Sequence, residues 1–201
     1  MKYPAALLVL ALMSCAHVNP APDTAACKAN RSAITWYADE SFTPPERAAI
    51  LAAPVNWSTF SHGRIQNAVT FDSPAPPLAA RIRRVVTTDQ VVKDENARET
   101  LARGTVFVSL GWSERPVLAE HPRELFVVMD LLDVADRQLE RVVTHEMGHA
   151  AGLRWPGCPT PDPFQKCDHS PVTTALMNNA VGNNDLGPAD LAFCEASCLC
   201  D

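Results

Sequence analysis

Residues 133–151 restrict the fold more than any other part of the chain, because they have the pattern of an amphipathic helix with two histidines on one face. The apolar residues at helical spacing are Leu139, Val142, Val143 and Met147. His145 and His149 are four residues apart, so their imidazoles lie about 40° apart around the helix and about 6 Å apart along its axis. Two imidazoles in this arrangement can bind one tetrahedral zinc ion, so we predict that both are metal ligands.

Glu146 directly follows the first of these histidines and is expected to be the catalytic residue. A carboxylate at this place can accept a proton from a zinc-bound water, because zinc lowers the pKa of that water toward about 7.

The sequence HExxHxxG at residues 145–152 resembles that of the metzincin zinc peptidases, in which the glycine ends the helix before a third histidine ligand. Ala-Leu-Met at residues 175–177 is similar to the Met-turn of the matrixins, and residues 186–192 are similar to their closing helix. The resemblance implies that Met177 forms an apolar floor under the metal. It also implies an α+β, zincin-like (metzincin) fold: a twisted five-stranded mixed sheet with a long first helix, an HExxH active-site helix and a small C-terminal subdomain.

The position of the third ligand departs from the metzincin pattern. That position, six residues after His149, is Trp155, and an indole has no lone pair to offer a metal. Matrixins commonly have Gly-Leu-Asp-His-Ser here, whereas in this chain fourteen residues separate Gly-Leu at 152–153 from Asp-His-Ser at 168–170. The resemblance therefore implies an insertion before the third ligand, which we expect to be His169.

Two alternatives to His169 remain open from the sequence. Asp168 or Asp162 would complete a set of two histidines and one carboxylate, as in some other zincins. The site could also be a metal-free relic, which would make the protein a non-catalytic zincin-fold surface lipoprotein acting as a binding module. Trp155 at the expected ligand position favours this second alternative.

The resemblance implies a zinc-dependent endopeptidase that uses one catalytic Zn²⁺ and cleaves protein or peptide substrates. In metzincins the substrate lies extended along the edge strand of the sheet, which is expected here at residues 105–110. A zinc hydrolase of non-peptide amides would share the metal site and differ only in its cleft. The net charge of −6 indicates no basic surface for nucleic acid, and we expect a monomer.

The N-terminus has the features of a bacterial export signal. Its apolar segment, residues 5–13, is too short to span a bilayer. Leu-Met-Ser-Cys at residues 12–15 resembles a lipobox, which implies that residues 1–14 are a lipoprotein-type signal peptide and that Cys15 is lipidated. Ordinary cleavage near Ala16 is the alternative. The protein is therefore expected in the cell envelope, as an outer-membrane lipoprotein, or outside the cell, and it would touch the membrane only through this anchor.

The rest of the chain is expected to form one unit. Residues 15–32 have the composition of a tether, and residues 33–201 are predicted to be a single peptidase domain with an upper part, 33–152, and a lower part, 153–201. The predicted strands are residues 34–37, 66–71, 81–87, 105–110 and 125–130.

Three helices can be placed before the Met-turn. A capping box at Thr43 and Glu46 predicts the first helix, which Pro54 should kink or interrupt. Its apolar stripe consists of Ile50, Ala53, Trp57 and Phe60. A short helix is expected at residues 94–103. The helix with the two histidines is expected to have Asp133 or Asp136 as its N-cap and to end at Gly152.

Six cysteines besides Cys15 predict a disulfide framework, because their number is even and the chain is expected to be exported. Cys158 and Cys167 flank one proline-rich loop and are the easiest local pair. Cys27 is then expected to bond one of the C-terminal cysteines. The alternative for the C-terminus is a zinc–thiolate cluster of Cys194, Cys198 and Cys200.

Overall fold

The computed structural model describes residues 27, 31–71, 74–76, 79–85, 107–109, 124–128, 137–153, 155, 169–178 and 185–200. Its strands are β1 (Ser32–Ala38), β2 (Ile65–Thr70), β3 (Ala80–Val85), β4 (Phe107–Ser109) and β5 (Glu124–Val128), and its helices are α1 (Pro44–Phe60), α2 (Gln138–Ala151) and α3 (Pro188–Ala196). None of the helices in these residues has the length and hydropathy needed to cross a bilayer.

Several sequence predictions fall outside the described residues. They are the signal peptide at 1–14, the lipidation of Cys15, the helix at 94–103, the pair Cys158–Cys167, and the alternative ligands Asp162 and Asp168.

The strands form one mixed sheet in the order β2-β1-β3-β5-β4. β1 pairs in parallel with both β2 and β3, and β3 pairs in parallel with β5. β4 runs antiparallel to β5 at the edge of this order, so residues 107–109 take the edge position that the sequence predicted for 105–110. Each predicted strand overlaps an observed one, and the α+β class is confirmed.

The hydrophobic core lies between the sheet and the first two helices. Side chains of four strands point into it and are fully buried, among them Trp36, Ile65, Ile82 and Leu125. α1 packs against both α2 and β2, and the apolar stripe of α2 is buried as predicted. The core therefore positions the helix with the two histidines against the sheet and α1.

The first helix begins at the predicted capping box. The backbone N–H of Thr43 donates to Glu46 Oε2 at 2.7 Å, and the guanidinium of Arg84 on β3 binds the same carboxylate at 3.0 and 3.1 Å. Of the two outcomes predicted for Pro54, an interruption of the helix is wrong, because α1 is continuous over Pro44–Phe60, and a kink stays a prediction. Pro54 lies on the buried face beside Ala53, and packing of this face keeps the helix intact despite the lost backbone hydrogen bond.

The second helix begins later than the sequence predicted. It starts at Gln138, after Arg137 in the left-handed conformation at φ 60°, so neither Asp133 nor Asp136 is the N-cap. The Arg137 guanidinium binds Glu140 in the first turn at 2.6 and 3.1 Å, and this contact accompanies the late start. Gly152, at φ 95°, ends the helix as predicted.

Two disulfides lie in the described residues. Cys27 bonds Cys198, which confirms the prediction that Cys27 is tied to a C-terminal cysteine. Cys194 bonds Cys200, so the alternative of a zinc–thiolate cluster at the C-terminus is wrong, because none of its three sulfurs is a free thiolate. The carbonyl of Cys27 also accepts a hydrogen bond from Arg64 at 2.8 Å. This part of the predicted tether is therefore attached to the fold, and both disulfides are consistent with an exported protein.

Candidate metal centre

The helix α2 presents the imidazoles of His145 and His149 to one point, because four residues advance the helix by slightly more than one turn. Their Nε2 atoms are 2.9 Å apart, and their ring planes stand at 85° to each other. Two ring nitrogens at this distance either share a proton or face a common cation.

A third imidazole completes the group. His169 precedes the Met-turn segment, and its ring centroid lies 5.3 Å from that of His145 and 4.7 Å from that of His149. One ligand nitrogen from each of the three rings lies within 4.8 Å of the other two. The three histidines therefore form a group that could bind a metal ion, and this is the arrangement expected if His169 is the third ligand.

The chemistry of this donor set fits a divalent transition metal. Ligand nitrogens bound tetrahedrally at zinc–nitrogen distances of about 2.0–2.1 Å stand about 3.3 Å apart, so the rings need only small movements to meet one ion. A histidine must be neutral to bind a metal. Burial lowers the pKa of His149 to about 3, and the nearby His169 adds to the shift, so this ring is neutral at physiological pH.

The orientation of His145 is fixed by Leu176, which lies in the segment 175–177. Its Nδ1–H donates to the carbonyl oxygen of Leu176 at 2.7 Å. The lone pair of Nε2 is therefore available at the point where the three imidazoles meet. The backbone N–H groups of Leu176 and Met177 donate in turn to the carboxylate of Asp190 on α3, at 3.0 and 2.8 Å. Asp190 is fully buried and also accepts the N–H of Gly187 at 3.0 Å. One carboxylate thus fixes the loop that orients His145.

Met177 lies beneath α2, in contact with its helical backbone. A Cβ added at Gly148 would meet Met177 Sδ at 2.7 Å and Trp57 Cζ2 at the same distance, so the absence of a side chain lets both residues approach the helix. Met177 is fully buried, and the indole N–H of Trp57 donates to the carbonyl of Thr144, next to the first ligand. The role of Met177 as a floor under a metal stays a prediction.

The backbone around His169 is held at three places. The indole N–H of Trp155 donates to the carbonyl oxygen of His169 at 3.1 Å. The N–H of Ser170 donates to the carbonyl of Met177 at 2.7 Å, and the side-chain amide of Asn178 donates to the carbonyl of Ser170 at 2.8 Å. The segment that carries His169 is thereby joined to residues 175–178.

Glu146 is buried beside His145 on α2. It occupies the helical position that the sequence predicted, and its role as a base stays a prediction. Nδ1 of His149 is buried and has no hydrogen-bond partner among the described residues. If Nε2 of His149 binds a metal, Nδ1 carries the proton of the ring.

A cavity of about 330 Å³ is lined by Thr144 and Leu176, which adjoin His145 along the chain and through a hydrogen bond. Asp185 is another of its lining residues. A hydrogen bond from Arg141, at 3.0 Å, and the charge of Arg137 lower the pKa of the Asp185 carboxyl. The cavity therefore has apolar and charged walls and room for a side chain or a small ligand.

Sequence reasoning missed Asp190 and the hydrogen bond from Trp155. The sequence does contain a signal for Asp190, because an acidic residue two positions after a proline at a helix start is typical of an N-terminal cap. No local pattern could have revealed that an indole N–H reaches a carbonyl fourteen residues later.

Comparisons with known proteins leave the family open. No family model matches the chain, and no curated protein matches it. Among solved structures, the chain is similar to two structures of myroilysin. One match has 17% identity and a TM-score of 0.44 and covers 84% of this chain and 91% of the other; the second has 14% identity and a TM-score of 0.45 and covers 84% and 86%. Because both TM-scores are below 0.5, these similarities assign neither family nor chemistry to this chain.

Proposed function

We propose that the protein is a zinc-dependent endopeptidase of the metzincin type, similar to the matrixins, and that it acts as a monomer. The observation that carries the proposal is the convergence of His145, His149 and His169, whose ligand nitrogens lie within 4.8 Å of one another. Two of them come from one helix and the third from a separate segment, so the group exists only in the folded chain. Three imidazoles suit zinc and leave a fourth position of its tetrahedron open.

A zinc ion held by these histidines would acidify a water molecule and polarise the carbonyl of the bond to be cleaved. Glu146, which directly follows a ligand on α2, would accept the proton of the attacking water and return it to the leaving amine. Leu176 would keep His145 in the tautomer that a ligand needs, through the 2.7 Å hydrogen bond to its Nδ1. Met177 would pack under the site without reacting.

We propose a protein or peptide substrate that pairs in extended form with the edge strand β4. This strand is at the end of the sheet order and contacts α2, the helix that carries His145 and His149, which supports this edge as the place where a substrate would pair. The alternative of a non-catalytic binding module depended on Trp155 at the expected ligand position. His169 supplies an imidazole in its place, which removes the reason for that alternative.

The substitution Glu146→Gln tests the catalytic role. It keeps the size of the side chain but removes the base, so cleavage of an unfolded protein substrate should fall at least about 100-fold while the zinc content stays at one per chain. Glu195→Gln, an exposed residue on α3, is the matched control and should keep full activity. Undiminished cleavage by the Glu146 variant would contradict the mechanism, and cleavage of small amides in place of protein would contradict the substrate class.

We further propose that the protein is exported and anchored in the bacterial outer membrane by a lipid on Cys15, or released outside the cell. Mass spectrometry of the mature N-terminus tests this. A diacylated Cys15 supports the anchor, and an unmodified terminus near Ala16 contradicts it.

A further inference from the structure

We infer that Trp155 is a positioning residue that holds the third ligand, His169, in place for the metal. This inference rests on the proposed metal site and adds a residue to it. Trp155 stands where the metzincin pattern has its third histidine, and it cannot bind a metal itself. Its indole instead holds the backbone of the histidine that we propose as the ligand.

The contact itself is specific. Nε1–H of Trp155 donates to the carbonyl oxygen of His169 at 3.1 Å, a normal length for this bond. The bond connects the two ends of the chain segment between residues 155 and 169. It therefore fixes the backbone of His169, and with it the direction from which the imidazole approaches.

The indole is itself held by α3. Its ring lies 4.9 Å from that of Phe193, centroid to centroid, at an angle of 49°. Phe193 is fully buried and precedes Cys194, which the disulfide to Cys200 fixes. The helix that orients His145 through Asp190 thus also supports His169 through Trp155. The positions of His145 and His169 therefore both depend on α3, whose Cys194 forms the disulfide with Cys200.

A ligand whose backbone is already in place loses less conformational freedom when the metal binds. Removal of the indole N–H should therefore weaken metal binding without removing a ligand. The bond is a neutral hydrogen bond, so we expect the zinc dissociation constant of Trp155→Phe to rise about 5-fold. The phenyl ring keeps most of the packing against Phe193, which separates the loss of the hydrogen bond from the loss of the ring.

The matched control is Trp36→Phe. The indole N–H of Trp36 donates to Asn67 Oδ1, also at 3.1 Å. These two residues lie on β1 and β2, which are far from the three histidines along the chain. The same atoms are removed from both sites, so both variants should lose stability, but only the Trp155 variant should lose affinity. Zinc affinity is measured by competition with a chromophoric chelator, and the absorption of the Co²⁺-loaded proteins reports the ligand geometry. We expect a changed Co²⁺ spectrum for Trp155→Phe and an unchanged one for Trp36→Phe.

Equal zinc affinities and equal Co²⁺ spectra for the Trp155 variant and the wild type would overturn the inference but leave the proposed function intact. A wild-type protein that binds no zinc would overturn the proposed function first. A second measurement on the wild type does not depend on the folding of a variant. Because coupling is reciprocal, zinc should slow hydrogen exchange at the Trp155 indole N–H by about the same 5-fold. Exchange unaffected by zinc would also overturn the inference.

Discussion

Replacing Asp190 with asparagine should destabilise the protein and weaken metal binding together, because this carboxylate fixes the loop that orients His145. Its two oxygens accept three backbone N–H groups, at 2.8, 3.0 and 3.0 Å, in a fully buried place. An asparagine has the same shape but only one acceptor oxygen. Its amide group would face an N–H donor in place of the second oxygen.

The expected cost follows from these contacts. If the amide oxygen takes the place of Oδ2, it keeps the bonds to Leu176 and Gly187 but leaves the N–H of Met177 unpaired, at about 1–3 kcal/mol. The two remaining bonds change from charge-assisted to neutral and lose about 1 kcal/mol each. We therefore expect the free energy of unfolding to fall by about 3–5 kcal/mol.

The effect on the metal follows from the bond between Leu176 and His145. A displaced Leu176 carbonyl no longer orients the ring, and the loss of such a supporting contact typically weakens metal affinity about 10- to 100-fold. Urea denaturation of the metal-free protein and zinc competition with a chelator measure the two effects. Glu195→Gln removes the same charge from the exposed face of the same helix and should change neither quantity. A loss of less than 1 kcal/mol for Asp190→Asn, or an unchanged zinc affinity, would refute the reasoning.

Three further outcomes are expected. Gly148→Ala should lower the free energy of unfolding, measured by urea denaturation, by about 1–2 kcal/mol. The added Cβ would lie 2.7 Å from Met177 Sδ, and this overpacking outweighs the better helix propensity of alanine. A stabilised variant would show that Met177 moves aside at no cost. In the metal-free protein, the pKa of His149 is about 3, whereas the same ring takes up its proton below about pH 6.5 in the unfolded chain. The contribution of His149 to the free energy of unfolding is therefore fully present above pH 6.5 and falls by about 1.4 kcal/mol per pH unit between pH 6.5 and 3. Denaturation curves of His149→Gln should lack this slope, and an identical slope would contradict the prediction. The double variant Cys27→Ser, Cys198→Ser opens a loop of 171 residues and should lose about 5 kcal/mol, and thermal unfolding indistinguishable from that of the wild type would contradict the pairing.

Local sequence patterns predicted the elements of the fold well. The capping box at Thr43 and the glycine at 152 act through neighbours along the chain, so both ends are visible in the sequence. The start of α2 was not visible in the sequence, because Arg137 contacts both Glu140 and Asp185, and Asp185 is 48 residues away. The persistence of α1 through Pro54 likewise depends on packing that the local sequence does not encode.

In the candidate site, the sequence predicted the histidines and the glutamate but not the residues that support them. His145, Glu146 and His149 were predicted from one helical turn, and His169 from its resemblance to a family motif displaced along the chain. The residues that support these side chains act over long separations: Asp190 reaches Leu176 from fourteen residues away, and Trp57 reaches Thr144 across 87. The sequence signals Asp190 only as a helix cap. It gives no signal for the pairing with Leu176 or for that of Trp57 with Thr144, because the partners lie far apart along the chain.

Zinc competition on His169→Ala tests the central claim most directly, with His62→Ala, an exposed histidine after α1, as the matched control. We expect the wild type and the His62 variant to bind one zinc ion equally tightly. The His169 variant should bind it more than about 100-fold more weakly, because it lacks one of three protein ligands and the loss should exceed that of a supporting contact. Wild-type zinc affinity in the His169 variant would contradict the three-histidine site.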